Sequence, residues 1–168
     1  MTNETIALVS LGCAKNAVDL QVRAGNRIKE GGRLSTDPDR ADVVIVNTCS
    51  FIAAAREEAE SEIRRALELK RRGNYGRVIV TGCYPQRYPE RRAAFPGVDE
   101  WIGVPKGWIE PKMPALRLTG KAYAYLKIAE GCNHRCSCIH IEVWIEISAP
   151  VLKANGHNLA FVEISIVD

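Results

Sequence analysis

Val43-Val-Ile-Val-Asn-Thr-Cys49 is a β-branched run that ends on a cysteine. Four branched aliphatic residues in a row leave no polar face, so the segment reads as a strand covered on both sides, as in a parallel sheet. Similar wording recurs before and after it. Ile6-Ala-Leu-Val-Ser-Leu-Gly-Cys13 and Val78-Ile-Val-Thr-Gly-Cys83 set the three cysteines 36 and 34 residues apart. That interval is about one strand–helix–strand unit. Parallel strands need crossover connections, and these are right-handed, so the strand ends that carry the cysteines are expected at one edge of one sheet. Ligands of open α/β sheets bind at that edge.

The segments between the strands read as helices. Asn16 to Glu30 carries Val18, Val22 and Ile28 in a helical rhythm and is closed by Gly31-Gly32. Asp37-Pro38-Asp39 is a turn signal. Ala53 to Arg72 is the clearest helix, with Ile52, Ala55, Ala59, Ile63 and Leu67 expected on one buried stripe. Its Lys70, Arg71 and Arg72 suit a helix carboxyl end, where the macrodipole favours cations, better than they suit an RNA-binding patch. Arg77 to Thr81 reads as the third strand, Arg87 to Ala94 as a short basic helix and Glu100 to Val104 as a fourth strand. The fold class expected for residues 1–104 is therefore α/β, with a parallel, doubly wound sheet.

Pro105, Pro111 and Pro114 mark residues 105–120 as a linker. Ala122 to Ile128 reads as a further strand leading to Cys132, so residues 121–138 are taken as the start of a second domain. In the tail, 139–168, the segments Ile139 to Ile147 and Phe161 to Val167 alternate apolar and polar residues, the pattern of two half-buried strands.

Composition narrows the function classes. Hydrophobic residues at 46% and charged residues at 26% describe a soluble globular chain. A net charge of +3 is too small to argue for nucleic acid, and none is expected as a partner. Six cysteines are too sparse for a disulfide scaffold. The apolar run Ile6 to Leu11 is too short for a signal peptide or a membrane span and has no basic residue before it, so the expected location is the cytoplasm, without membrane association. Ser10-Leu11-Gly12-Cys13 has the wording of a lipoprotein cleavage site without the long apolar stretch that such a site needs. In a reducing compartment clustered cysteines bind metal or do chemistry. No G-x-G-x-x-G follows the first strand, which argues against a dinucleotide site.

The cysteines form two sets. Cys13, Cys49 and Cys83 each follow a glycine or threonine just past a strand, a pattern that fits a [4Fe–4S] cluster held by three thiolates better than three small core residues. A structural zinc site usually takes four protein ligands, and no histidine lies in residues 1–120. The second set is Gly131-Cys-Asn-His-Arg-Cys-Ser-Cys138, in which Cys132, Cys136 and Cys138 are spaced C-x3-C-x-C. His134 and His140 stand beside it, so a mixed cysteine–histidine zinc site is a rival to a second cluster.

At this point the residues resemble a known family. Ser10-Leu-Gly-Cys-Ala-Lys-Asn16 with Val18-Asp19, Val46-Asn-Thr-Cys49 and Val80-Thr-Gly-Cys83 is similar to the amino-terminal domain of the methylthiotransferases. Tyr125-Leu-Lys-Ile-Ala-Glu-Gly-Cys-Asn-His-Arg-Cys136 resembles the start of their radical-SAM domain. The wording is nearest to the branch that modifies a small-subunit ribosomal protein, with the tRNA-modifying branch as the alternative. The resemblance implies an auxiliary [4Fe–4S] cluster on Cys13, Cys49 and Cys83, and a second cluster with S-adenosylmethionine on Cys132, Cys136 and Cys138. It further implies methylthiolation of an aspartate β-carbon of the ribosomal protein, and a flavodoxin-like reductant as a second partner. Ligation and positioning are the protein's contribution, and no side chain is assigned a catalytic role of its own.

Three departures accompany the resemblance. The family pattern is C-x3-C-x2-C, whereas here the step from Cys136 to Cys138 is one residue shorter. That shift is worth about 3.3–3.6 Å of chain reach and reverses the side-chain direction in an extended segment. After Cys138 the resemblance stops, so most of the catalytic barrel is expected to be missing and the tail is expected to stem from a frameshift near residue 137. Leu20-Gln21 stands where the family commonly has Ser-Glu. Two readings from other classes stay open beside the enzyme: a non-catalytic iron–sulfur fragment and a zinc-binding module.

Overall fold

In the computed structural model, residues 3–37, 39–104 and 125 are described. The chain divides into two compact units, Met1–Leu116 and Arg117–Asp168. The linker, the second cysteine set and the alternating tail read in the sequence all lie outside the described residues.

The first unit carries five parallel strands: β1 (Thr5–Ser10), β2 (Arg33–Leu34), β3 (Ala41–Thr48), β4 (Tyr75–Gly82) and β5 (Glu100–Ile102). Their order in the sheet is β2-β1-β3-β4-β5, and every neighbouring pair is parallel. Helix α1 (Ala14–Lys29) joins β1 to β2, and α2 (Ala53–Arg71) joins β3 to β4. A short helix α3 (Cys83–Arg87) and a 3-10 helix (Pro89–Ala94) lie between β4 and β5. This is the doubly wound α/β architecture expected from the sequence, in the strand order of flavodoxin-like sheets.

Side-chain alternation along the central strands explains the two-sided core. Val43 and Ile45 point to one face, where Ile6, Ile79 and Leu20 of α1 complete a cluster. Val44 and Val46 point to the other, where Val78, Val80, Ala59, Ile63, Ala66, Tyr84 and Phe95 pack. Right-handed crossovers require this split: the connection from β1 runs one way along the sheet, those from β3 and β4 run the other, and their helices fall on opposite faces. Reversal of direction between β1 and β3 makes the gap between their carboxyl ends the switch point of the sheet, where such folds place their ligands.

Several boundaries differ from the sequence reading. Strands β3 and β4 each extend beyond the apolar run through polar residues: Asn47, Thr48 and Thr81 keep the ladder, and the Asn47 and Thr48 side chains bond nearby backbone carbonyls. The two-residue edge strand β2, exposed along its length, has no hydrophobic signature and was not foreseen. Ile52 stands on the expected apolar stripe of α2, yet it precedes the helix and is 55% exposed. The basic helix expected over 87–94 is instead α3, which begins at Cys83, followed by the 3-10 turn. Pro89 opens that turn, as the lack of an amide hydrogen allows. Among the described residues no helix is long and apolar enough to cross a membrane.

Candidate functional site

Each cysteine of the first set sits just past the carboxyl end of its strand. Cys13 immediately precedes α1, Cys49 follows β3, and Cys83 opens α3. Strand register brings the three together. Ser10 pairs with Asn47, and Leu11 N–H continues the ladder to the Asn47 carbonyl at 2.9 Å, so Gly12 and Cys13 arrive beside Cys49. Thr48 pairs with Gly82, which puts Cys49 and Cys83 one step beyond the last paired residues of adjacent strands.

Two glycines make this approach sterically possible. Gly12 has φ +98°, and a Cβ there would lie 2.8 Å from Cys49 Cβ and 3.4 Å from Cys49 Sγ. Gly82 has φ +101°, and a Cβ there would lie 2.5 Å from the Thr48 carbonyl oxygen. Both positions need the left-handed freedom that only glycine has at low cost. The glycine before a cysteine was legible in the sequence; the reason for it lies in the neighbouring strand.

A buried amide network ties the strand ends to α1. Asn16 Nδ2 donates to the Thr48 carbonyl at 2.9 Å, and Asn47 Nδ2 donates to the Asn16 carbonyl at 2.6 Å. Thr48 Oγ1 donates to the Thr81 carbonyl at 2.7 Å. Cys83 Sγ donates to Asn16 Oδ1 at 3.4 Å. Asn16, Asn47 and Thr48 were quoted as motif letters in the sequence but not foreseen as functional residues. A polar residue fully buried beside a cysteine is the signal that finds them, and it exists only in three dimensions.

Burial differs among the three cysteines. Cys49 is buried, while Cys13 and Cys83 are partly covered, and all three are free thiols. Burial, and then the neighbouring Cys49 and Cys13, push the Cys83 thiol up to about 11. A thiol whose ionisation is opposed by burial and by its cysteine neighbours suits a cationic ligand, which favours the thiolate. The amino ends of α1 and α2 open at the same edge and add partial positive charge. Among the described residues no three cysteine, histidine, aspartate or glutamate side chains stand close enough to share one metal ion. Single-ion sites need every ligand about 2.0–2.3 Å from one point. As chemistry, a set of three cysteine sulfurs is the donor type that iron–sulfur clusters take, each thiolate on a separate iron.

The position of Cys83 is held from outside as well. Tyr84, the next residue, is 2% exposed and donates its hydroxyl to Glu60 of α2. Arg91 and Arg64 also grip Glu60, at 2.5 and 2.6 Å. Those hydrogen bonds, led by that of Tyr84, hold the Glu60 carboxyl down at about 2.

Residues 5–103 match the model of the uncharacterized protein family UPF0004. The chain belongs to this family. Similar curated proteins include the ribosomal protein uS12 methylthiotransferase RimO of Syntrophus aciditrophicus, 38% identical over 83% of this chain and 37% of the relative. The protein of that name from Sulfurihydrogenibium is 41% identical over 82% of this chain and 34% of its own length. That of Moorella thermoacetica is 42% identical over 79% of this chain and 35% of its own length. The chain spans about a third of the length of these relatives. They bear out the methylthiotransferase resemblance read from the cysteine motifs, and in particular its ribosomal-protein branch. The parallel sheet expected for the family's amino-terminal domain is the sheet observed.

Proposed function

We propose that the described unit is the sulfur-donating, cluster-bearing domain of a methylthiotransferase that acts on a small-subunit ribosomal protein. The observation that carries this reading is the convergence of Cys13, Cys49 and Cys83 at the carboxyl edge of the sheet, at its switch point. These three residues would hold an auxiliary [4Fe–4S] cluster with one iron left free of protein ligands, and the bound group would supply the site at which the sulfur to be donated is carried.

The chain's own residues do the remaining work. Gly12 and Gly82 let the strand ends close in, and Tyr84 with Glu60 fixes the turn that presents Cys83. Burial of Cys49 keeps water from one side of the site. Cys132, Cys136 and Cys138 are proposed as the ligands of a second cluster that binds S-adenosylmethionine; they lie outside the described residues. The ribosomal-protein substrate, a flavodoxin-like electron donor and a cytoplasmic location belong to the same proposal and rest on the relatives' names and on the motifs.

Anaerobic iron and sulfide reconstitution tests the reading, with metal analysis of the whole chain and of the Cys13/Cys49/Cys83→Ala variant. Uptake of about four irons by the wild type, lost in the variant, is expected if the first set alone ligates. About eight irons falling to about four is expected if the shortened second motif also ligates. No iron in either protein, or zinc in its place, overturns the proposal.

A further inference from the structure

We propose that Asn16 is a positioning residue for Cys83, holding the third sulfur in register with the other two; the inference rests on the cluster reading above. Asn16 is 2% exposed, and its carboxamide is used at both ends. Nδ2 donates to the Thr48 carbonyl at the end of β3, and Oδ1 accepts from Cys83 Sγ at the start of α3. Because only the NH2 group can donate to a carbonyl, the Thr48 contact fixes which end of the amide faces the sulfur. A further hydrogen bond, from Asn47 Nδ2 to the Asn16 carbonyl, anchors the Asn16 backbone to β3.

The geometry matters because Cys83 stands at the turn from a strand into a short helix. It follows Gly82 at φ +101°, opens a five-residue helix, and is only partly covered. Asn16 lies one turn into α1, three residues after Cys13, and a Cβ on Gly12 would come within 3.0 Å of its Nδ2. One side chain therefore touches the segment of the first cysteine, the strand of the second and the sulfur of the third. The hydrogen bond needs the thiol proton, so this support acts on the metal-free site and holds Cys83 in place before its sulfur ionises.

The test begins in the metal-free protein. Cys83 alkylation is compared with that of Cys13 by peptide mapping, in the full chain, for wild type, Asn16→Ala, Asn16→Asp and Asn47→Ala. Asn16→Ala is expected to raise the Cys83-to-Cys13 rate ratio about fivefold, the factor matching one lost net hydrogen bond. Asn16→Asp puts a carboxylate beside the thiol, which disfavours the reactive thiolate, and is expected to lower the ratio. Asn47→Ala loosens the same network without touching Cys83 and is expected to leave the ratio unchanged.

An unchanged ratio in both Asn16 variants, or an equal rise in Asn47→Ala, overturns the proposal. Thermal unfolding of each variant shows that it is folded, and the isosteric Asn16→Asp decides the matter if Asn16→Ala is not. Absence of iron uptake by the wild type overturns the cluster reading instead, while the alkylation ratio still decides the role of Asn16.

Discussion

At the scale of single residues, the two glycines beside the cysteines combine a positive φ with a close neighbour. Gly82→Ala would press a methyl group against the Thr48 carbonyl in a backbone region that L side chains rarely adopt. We expect it to cost about 1–3 kcal/mol, read as a lower urea midpoint, together with reduced iron uptake. Gly73, past the end of α2, has φ +80° but nothing within 4 Å of an added Cβ. Gly73→Ala should therefore cost only the conformational part, about 1–2 kcal/mol, and leave iron uptake intact. Equal loss of iron in both variants would contradict the steric argument. Glu60 carries the clearest pH dependence. Its carboxyl lies at about 2 in the fold against an ordinary 4.5, because Tyr84, Arg91 and Arg64 donate to it. The stabilisation is therefore present above 4.5 and is lost as the pH falls from there towards 2. Glu60→Gln should lower the urea midpoint at neutral pH and flatten its decline in acid; an acid limb as steep as that of the wild type would refute this linkage.

At the scale of elements, α2 shows why apolar periodicity is a guide and burial the judge. Ala59, Ile63 and Ala66 are buried against β3 and β4, whereas Ile52, on the same apparent stripe, is exposed before the helix begins. Ile63→Ala should cost about 2–5 kcal/mol, as cavity-forming changes in a packed core do. Ile52→Ser should stay within about 0.5 kcal/mol of wild type, so chemical denaturation of the pair separates the two sites. The basic end of α2 behaves as helix electrostatics suggested. Lys70 meets Asp99 at 2.6 Å, and Arg71 and Arg72 both meet Glu68 at 2.8 Å.

For the whole molecule, the five strands among the described residues run from Thr5 to Ile102, and the family model covers nearly the same span. Residues 1–104 expressed alone should therefore unfold in one cooperative transition by circular dichroism and still take up iron. A broad, non-cooperative transition would show that the remainder of the chain is needed for the fold.

Much of this was legible in the sequence because it is written locally. Unbroken β-branched runs specify strands buried on both faces, the intervals between them leave room for crossovers, and the crossover rule then sends every carboxyl end to one edge. Three cysteines at those ends, with the glycines and polar letters around them, sufficed to read an α/β sheet, a candidate cluster site and a family. What the sequence did not disclose depends on neighbours distant in the chain. The edge strand β2 forms because β1 offers it an open ladder, and its own residues carry no pattern. Asn16 matters because the chain ends of β3 and β4 come to meet it, and Gly82 matters because the Thr48 carbonyl passes beneath it. Residue type and spacing determine which groups can share an edge; only the packed sheet, by fixing register and close approach, decides which of them touch.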